Sequence, residues 1–514
     1  MSLESSLYRL VWAVAAFLLG ALTSQAFAPT GWWWLPPFSL APLLWLCLAG
    51  NAGPLTAFRL AWWWGFGLFF VGIGWIQVSL TIYGELPWLL GWAAVALLAG
   101  FLALFPASAL WLAATLVRRQ LPRLLLAAPA AWVLSEWLRG WIFTGFPWLS
   151  LGDSQAPDGW LAPLAPVLGH FGISGLLVLA AALLALALQP APQRQAWRLL
   201  GALAGLLTLG LLAAAAGRFE WSRPLGEPVR VALLQPDTEQ STKWSPGRAA
   251  SIAESLAEQI ELASDGADWV IAPETAIPVF LEDMPPGMLE GLRQPVLGRG
   301  AELLVGLPTG VRHGYYNSVV SLGSTANMPY HKHHLVPFGE FVPYGFRWFV
   351  DAVAIPMADF SRGGADQPPM ALGDQRLALM ICYEDIFASE VARRAVSSTL
   401  LVNLTNDAWF GETAASWQHA QQSQMRALEN ARPLLRATNN GVTLLADHRG
   451  RVIDALPRFS AGTLLVTVQG RSGDTPYQWW GDTLAVGLAL LALLAAALIS
   501  PPNRDAKQFP HLGR

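Results

Sequence analysis

Eight long apolar runs constrain this chain more than any other feature: seven within the first 220 residues and one near residue 490. A helix crossing a bilayer needs roughly 20 mostly apolar residues, because its backbone groups find no water to bond inside the hydrocarbon. Residues 10–28, 35–48, 60–78, 88–117, 124–141, 167–188, 199–216 and 483–499 approach or meet that length, the second being short and interrupted by proline. About eight spans are therefore expected. Charge divides the chain at the same place. Only 13% of residues are charged, where a soluble chain carries ~25%, and 15 of the 67 charged residues precede Trp221. The expected organisation is a helical transmembrane domain at 1–220 with about seven spans and a water-soluble domain at 221–481. A last span at 482–500 and a tail at 501–514 complete it. A net charge of −3 gives no reason to expect a nucleic-acid partner.

Positive charge orients the spans, since loops rich in Lys and Arg stay on the cytoplasmic side. Arg59, then Arg118, Arg119 and Arg123, then Arg194 and Arg198, and finally Arg504 and Lys507 mark alternate loops. The loops around Thr30, Tyr83 and Gly152 are poor in positive charge, apart from Arg139 at a helix end. Both termini are thus expected in the cytoplasm and the charged domain outside, in the periplasm. Arg9, an apolar stretch and Ala26-Phe27-Ala28 imitate a signal peptide. The bond to be cut would be Ala28–Pro29, a poor substrate, so the first span is expected to be retained; cleavage would leave the later topology unchanged.

In the outer domain, short apolar runs alternate with helical patterns. VRVALLQP (229–236) reads as a strand, RAASIAESLAEQIELASDGA (248–267) as an amphipathic helix, and DWVIAPETAIP (268–278) as a strand entering a turn. AELLVGLPTG, YYNSVVSLG, LALMICYEDIF, TLLVNLTNDAWFG and RPLLRATNNGVTLLAD continue the series. Continuously apolar strands are usually covered on both faces, and strands alternating with helices indicate a layered α/β architecture. The Pro- and Gly-bearing stretches near 223–228 and 475–481 look like linkers.

Three motifs each end a predicted strand in a chemically competent residue: APET with Glu274, YHKHHLVPFGE with Lys332 and Glu340, and ICYED with Cys382 and Glu384. Ligand sites in α/β folds collect at strand ends. A lone buried cysteine more often packs than reacts, a Glu after a strand is usually a solvated loop residue, and a lone lysine is usually surface charge. Two facts raise the stakes. Cys382 is the one cysteine in the aqueous domain, Cys47 lying in an apolar run, so an exported Cys382 has no bridging partner there. Only three of the 32 basic residues are lysines, which suggests that position 332 requires a compact ammonium. Together the three groups can run nucleophilic catalysis. Glu274 takes the thiol proton, Cys382 attacks a carbonyl, and Lys332 with the Tyr383 backbone N–H faces the developing oxyanion. A helix beginning after Cys382 would, with Lys332, favour thiolate.

In this order and spacing the motifs resemble the nitrilase superfamily, whose members share a Glu-Lys-Cys triad on an αββα sandwich. With the spans, the chain resembles the apolipoprotein N-acyltransferase family over nearly its whole length. Carrying that likeness are TGFPWLSLGDSQ, KW at 243–244, YYNS at 315–318, NDAWFG and RALENARPLLRATNNG. The resemblance implies an inner-membrane enzyme that moves an acyl chain from a phospholipid, usually phosphatidylethanolamine, to Cys382 as a thioester. The α-amine of a diacylglyceryl-cysteine apolipoprotein then receives it. It further implies supporting roles for Glu340, Glu384, Tyr383 and Asn317, and lipid or substrate contacts for Trp244, Phe338, Phe341 and Trp148. No cofactor is implied, and a monomer is expected.

Other features read more plainly. His331, His333 and His334 lack further ligands at zinc-site spacing, so no metal is expected. Glu136 and Arg139 are expected to form an ion pair near the outer interface, with the arginine snorkelling. Phe341, Phe346, Trp348 and Phe349 are candidates to dip into the membrane interface and gate lipid entry. The nearest rival is a membrane-tethered amidohydrolase in which water resolves the thioester. A transporter is disfavoured by the scarcity of ionisable residues in the spans.

Overall fold

The strands between residues 223 and 472 are apolar at successive positions because each of their two faces meets a different layer. A computed structural model describes residues 3–500 apart from 50–51, 190–194, 246, 311–313, 326, 346 and 348–358. Arg194, Phe346, Trp348, Phe349, Arg504, Lys507 and the expected tail lie outside the described residues. Twelve strands are found among the rest: β1 (Arg223–Gln235), β2 (Trp269–Ile271), β3 (Glu302–Thr309), β4 (Tyr316–Ser321), β5 (Tyr330–His331), β6 (Met370–Leu372), β7 (Gln375–Ile381), β8 (Leu400–Thr405), β9 (Leu434–Thr438), β10 (Leu444–Ala446), β11 (Val452–Ala455) and β12 (Gly462–Ser472). They form two sheets, ordered β12-β1-β2-β3-β4-β5 and β11-β10-β9-β8-β7-β6. Each has three parallel strands at its centre, β1-β2-β3 and β7-β8-β9, and antiparallel strands outside them.

Side-chain alternation sorts the layers. Val231, Leu233, Ile271 and Leu304 of the first sheet share one core with Leu377, Leu379, Val402 and Leu404 of the second. Their neighbours Ala232, Leu234, Val270 and Leu303 instead pack on Leu256 and Ile260 of helix Arg248–Ser264 and on Leu292 and Val296 of helix Pro286–Arg299. On the far side, Ala378, Met380 and Leu401 meet Val391 of helix Ala388–Ala395 and Ala420 and Ala427 of helix Ala415–Asn430. The arrangement is the expected αββα sandwich. Two expected linkers are not linkers. Residues 223–228 are the outer part of β1, which pairs with β12 from Arg223↔Ser472 onward and shifts register between Leu225 and Val229. Residues 475–481 contain helix Pro476–Trp480, anchored by the buried Tyr477.

All eight apolar runs fall on helices. Among the described residues four helices are long and apolar enough to cross a membrane: Tyr8–Ala26, Trp88–Leu116, Ala162–Leu188 and Gln195–Ala216. Pro54–Gly72 with Ile76–Tyr83 makes a fifth if its 55° bend lies within one span, and Leu35–Ala49 and Thr483–Ile499 are shorter apolar helices. The expected Glu136–Arg139 ion pair is absent among the described contacts, because the loop that follows takes both groups. Glu136 accepts from the Leu151 N–H (3.0 Å) and the Trp132 indole (2.9 Å), while Arg139 donates to the carbonyls of Phe146 and Trp148, 2.7 Å each. Arg139 is 2% exposed, so it does not snorkel.

Helix Ala415–Asn430 joins the sandwich to the apolar helices. The Gln418 Oε1 accepts from the indoles of Trp75 (3.1 Å) and Trp148 (2.8 Å), and its amide donates to the Gly72 carbonyl. Gln421 accepts from Ala28 N and donates to the Ala156 carbonyl, and Glu429 accepts from His170 N. Leu256 is 1% exposed and Leu262, on the same helix, 78%. Leu256→Ala should therefore cost about 2–5 kcal/mol, and Leu262→Ala under about 0.5 kcal/mol. Unfolding of the purified protein in detergent measures both, and equal losses would contradict the face assignment.

Candidate active site

Cys382 directly follows β7 and adopts φ +51°, a left-handed conformation that a side chain with a Cβ rarely takes and that costs on the order of 1–3 kcal/mol. Surrounding contacts hold it there. Residues Cys382–Ile386 form a single 3-10 turn, and the α-helix Ala388–Ala395 starts only afterwards. The helix dipole expected behind the thiol is therefore missing from this position. Glu384 fastens the turn. Its carboxylate is fully buried and accepts from Ile381 N (2.7 Å), Tyr330 OH (2.8 Å), His333 N (2.9 Å), His334 N (3.2 Å) and the Arg394 guanidinium (3.0 Å). Three of these donors flank Lys332, so one carboxylate ties the lysine strand to the cysteine turn.

The three motif residues converge. Lys332, 1% exposed, donates to Glu274 (3.2 Å) and to Glu340 (2.9 Å). Asn317 donates to the same two carboxylates at 2.7 and 3.0 Å. The second oxygen of Glu274 accepts from Asn406 N at 2.9 Å, and that of Glu340 from Val336 N at 2.8 Å. The Glu274 loop sits close against β3: a Cβ on Gly306 would lie 2.5 Å from the Pro273 carbonyl oxygen and 2.6 Å from the Glu274 Cα, so glycine is required.

Charge sets the resting protonation. Burial opposes the Lys332 ammonium, yet Glu274 and Glu340 outweigh it and raise its pKa above the ordinary lysine value. Burial first and Glu274 second hold the Cys382 thiol well above its ordinary range, with Lys332 pulling the other way. The resting site thus holds a thiol beside a carboxylate and an ammonium, and not the preformed thiolate that a helix dipole would favour. Tyr383 is buried, with its OH donating to the Gly145 carbonyl of the TGFPW segment (3.2 Å). Burial raises its phenol.

Beneath the turn lies a second charged cluster. The two ring nitrogens of His419 face Asp385 (2.8 Å) and Asp407 (2.9 Å), and Arg436 binds the other oxygen of each, at 3.1 and 3.0 Å. Asn403 and His419 both reach the Cys382 carbonyl. Burial works against the His419 charge, but the carboxylates, Asp385 foremost, raise its pKa to about 9. Donor atoms of Cys382, Asp407 and His419 lie within 4.8 Å of one another. With both ring nitrogens donating to carboxylates, His419 has no lone pair to give a metal. The histidines of HKHH diverge: His331 meets Ser318, His333 the Gly363 carbonyl, and His334 Glu390.

Substrate-contact candidates are distributed differently. Trp244 is 54% exposed. Phe338 and Phe341 are half-buried, the latter under the Arg362 guanidinium at 5.0 Å. Trp148 is buried against Trp75 and His419, at the junction with the apolar helices. Sequence reasoning missed Asn406, Asp407, His419 and Arg436. One signal was available: an arginine in the middle of the apolar strand PLLRAT requires a buried carboxylate.

The comparisons with known proteins agree over almost the whole chain. A family model described as Apolipoprotein N-acyltransferase N-terminal domain matches residues 19–183, and one described as Carbon-nitrogen hydrolase matches residues 230–477. An apolipoprotein N-acyltransferase of Nitrosomonas europaea is 41% identical over 495 residues, covering 96% of this chain and 98% of that protein. Another, of Chromobacterium violaceum, is 42% identical over 499 residues, covering 95% and 94%.

Two outcomes follow from the site's charges. Glu384→Ala removes the nearer partner of the buried Arg394, leaving it only Glu390 at 3.4 Å, and should lower stability by about 3–5 kcal/mol. Glu384→Ala with Arg394→Met should recover part of that loss in denaturant unfolding; no recovery would show that the pair is not the anchor. His419 has a folded pKa above its unfolded value, so its stabilisation is complete below about pH 6.5 and disappears as pH rises through about 9. The thermal midpoint of the protein should fall across that window, and less so in His419→Asn.

Proposed function

We infer the reaction from kinship first: the chain belongs to the apolipoprotein N-acyltransferase family, and it is an acyltransferase that N-acylates lipoproteins. Beyond this, we propose that Cys382 carries the acyl chain and that a phospholipid, phosphatidylethanolamine foremost, supplies it. In the first half-reaction, Glu274 removes the Cys382 proton as sulfur attacks the ester carbonyl. Lys332 and the Tyr383 N–H would hold the oxyanion. On collapse, Glu274 returns the proton to the leaving glycerol oxygen, so a lysophospholipid departs and a thioester remains. In the second, the neutral α-amine of the diacylglyceryl-cysteine attacks that thioester, Glu274 accepts its proton, and the thiol is released.

The observation that carries this is the shared grip of Lys332 and Asn317 on Glu274 and Glu340, beside a thiol kept protonated. A neutral thiol cannot attack without a base, and Glu274 is a carboxylate already oriented by three donors. Glu340 would then hold the Lys332 charge in place through both half-reactions. Trp244, Phe338 and Phe341 are proposed to guide acyl chains, and Trp148 to support the turn from below.

The surrounding architecture is proposed as the sequence implies it: a transmembrane domain at 1–220, a catalytic domain at 221–481, a last span at 482–500 and a tail at 501–514. All eight apolar helical segments would cross the bacterial inner membrane, with both termini cytoplasmic, the catalytic domain periplasmic and the protein monomeric. Arginine-bearing loops on alternate sides support that topology.

Intact-mass measurement of the purified protein after exposure to labelled phosphatidylethanolamine tests the mechanism. An acyl adduct should form on Cys382, leave with hydroxylamine, be absent in Cys382→Ala and pass to a diacylglyceryl-peptide amine. Glu274→Gln should slow adduct formation by about 10²–10⁴-fold. An adduct lost to water before any acceptor is added would instead mark a hydrolase.

A further inference from the structure

Two of the chain's three lysines stand at this site. Besides Lys332, Lys243 belongs to the short segment Gln240–Lys243 and is 1% exposed. Neighbouring contacts place that segment. Gln240 accepts from the Asn406 amide (2.8 Å), and the Asn406 backbone N–H in turn donates to Glu274. Thr238 is pinned on both sides by the Asn439 side chain. Tyr83, at the end of the bent helix pair Pro54–Gly72 and Ile76–Tyr83, donates to the carbonyl of Ala408, two residues beyond Asn406, at 2.9 Å. Lys243 therefore occupies the corner where the Glu274 loop meets an apolar helix. Next to it, Trp244 is 54% exposed.

Among the described residues the Lys243 ammonium has no hydrogen bond and no ion pair; the Glu274 charge acts on it at longer range. Burial draws its pKa down to about 8, with Glu274 acting in the opposite sense, so the group is still largely cationic at neutral pH. A buried cation without an anion is costly to keep. The lower cluster of Asp385, Asp407, His419 and Arg436 balances itself. Around the thiol, Glu274 and Glu340 outnumber Lys332 by one charge, an unfavourable setting for an anionic donor. A second ammonium offsets that excess. As a compact point charge with three donors, lysine suits a phosphate oxygen.

We propose that Lys243 is the anchor for the phosphodiester of the acyl donor, holding the head group at the membrane-side rim while the ester carbonyl reaches Cys382. The proposal rests on the phospholipid-donor reading above. Lys243 acts on binding of the first substrate and has no part in the second half-reaction. Trp244 would cover the glycerol or the start of an acyl chain beside it.

Single-turnover acylation of Cys382 in the full-length protein, read by intact mass, tests it with two donors. One is phosphatidylethanolamine; the other is p-nitrophenyl palmitate, an activated ester without phosphate. In Lys243→Met, half-saturation for phosphatidylethanolamine should rise about ten- to hundredfold, the range of a charge-assisted bond. Acylation by the p-nitrophenyl ester should stay within about threefold. Lys243→Gln should show the same selectivity, and serves as the test if Lys243→Met fails to fold. Equal loss with both donors, or no loss with either, overturns the proposal. Absence of any adduct from phosphatidylethanolamine in the unaltered protein, with the p-nitrophenyl ester still reacting, would overturn the donor reading instead.

Discussion

One buried carboxylate, Glu384, makes the rest of the site possible. It gathers the amide of Ile381 at the end of β7, the phenol of Tyr330 in β5, the amides that follow Lys332, and the guanidinium of Arg394. These donors come from both sheets and from the helix behind the second. A carboxylate in such a place is stable only when its lone pairs are filled, and filling them forces the cysteine turn and the lysine strand into one register. The left-handed backbone at Cys382 persists because that register over-determines it.

Above and below this clasp the chain keeps its charges apart by pairing them. Beneath the turn, two carboxylates are matched by an imidazolium and a guanidinium, so the floor is polar but balanced. Above it, two carboxylates share one lysine. Burial first, and Glu274 second, oppose a thiolate and hold the Cys382 pKa up despite a neighbouring ammonium. In the proposed reaction such a thiol would become a nucleophile only when its proton is taken during attack, as a base-assisted acyl transfer needs. Helix Ala415–Asn430 carries His419 on the floor and Gln418, Gln421 and Glu429 against the apolar helices, so the rigidity of the site and the docking of the two regions share one element.

Much of this was legible in residue order. Runs such as VALL and LALMI are apolar at consecutive positions, and the structure shows each alternate residue entering a different core, which is the property such runs encode. Glu274, Lys332 and Cys382 were visible because each closes a strand with a reactive group. Where reading failed, a distant partner decided the outcome. Residues 223–228 look like a linker until β12 pairs with them. Glu136 and Arg139 look like an ion pair until the loop around Trp148 claims both. The resemblance implied only a supporting role for Glu384, and its five donors show that it anchors the turn.

The amino-acid order by itself determined the apolar helices, the layered α/β region and the three reactive groups, because hydrophobic periodicity and strand-end chemistry are local properties of the chain. Only the tertiary structure decided how Lys332 and Cys382 are charged, what holds the cysteine turn, and that the Lys243 ammonium has no hydrogen bond or ion pair among the described residues. Protonation and pairing depend on burial and on contacts between residues tens of positions to more than a hundred apart, and no local pattern records either.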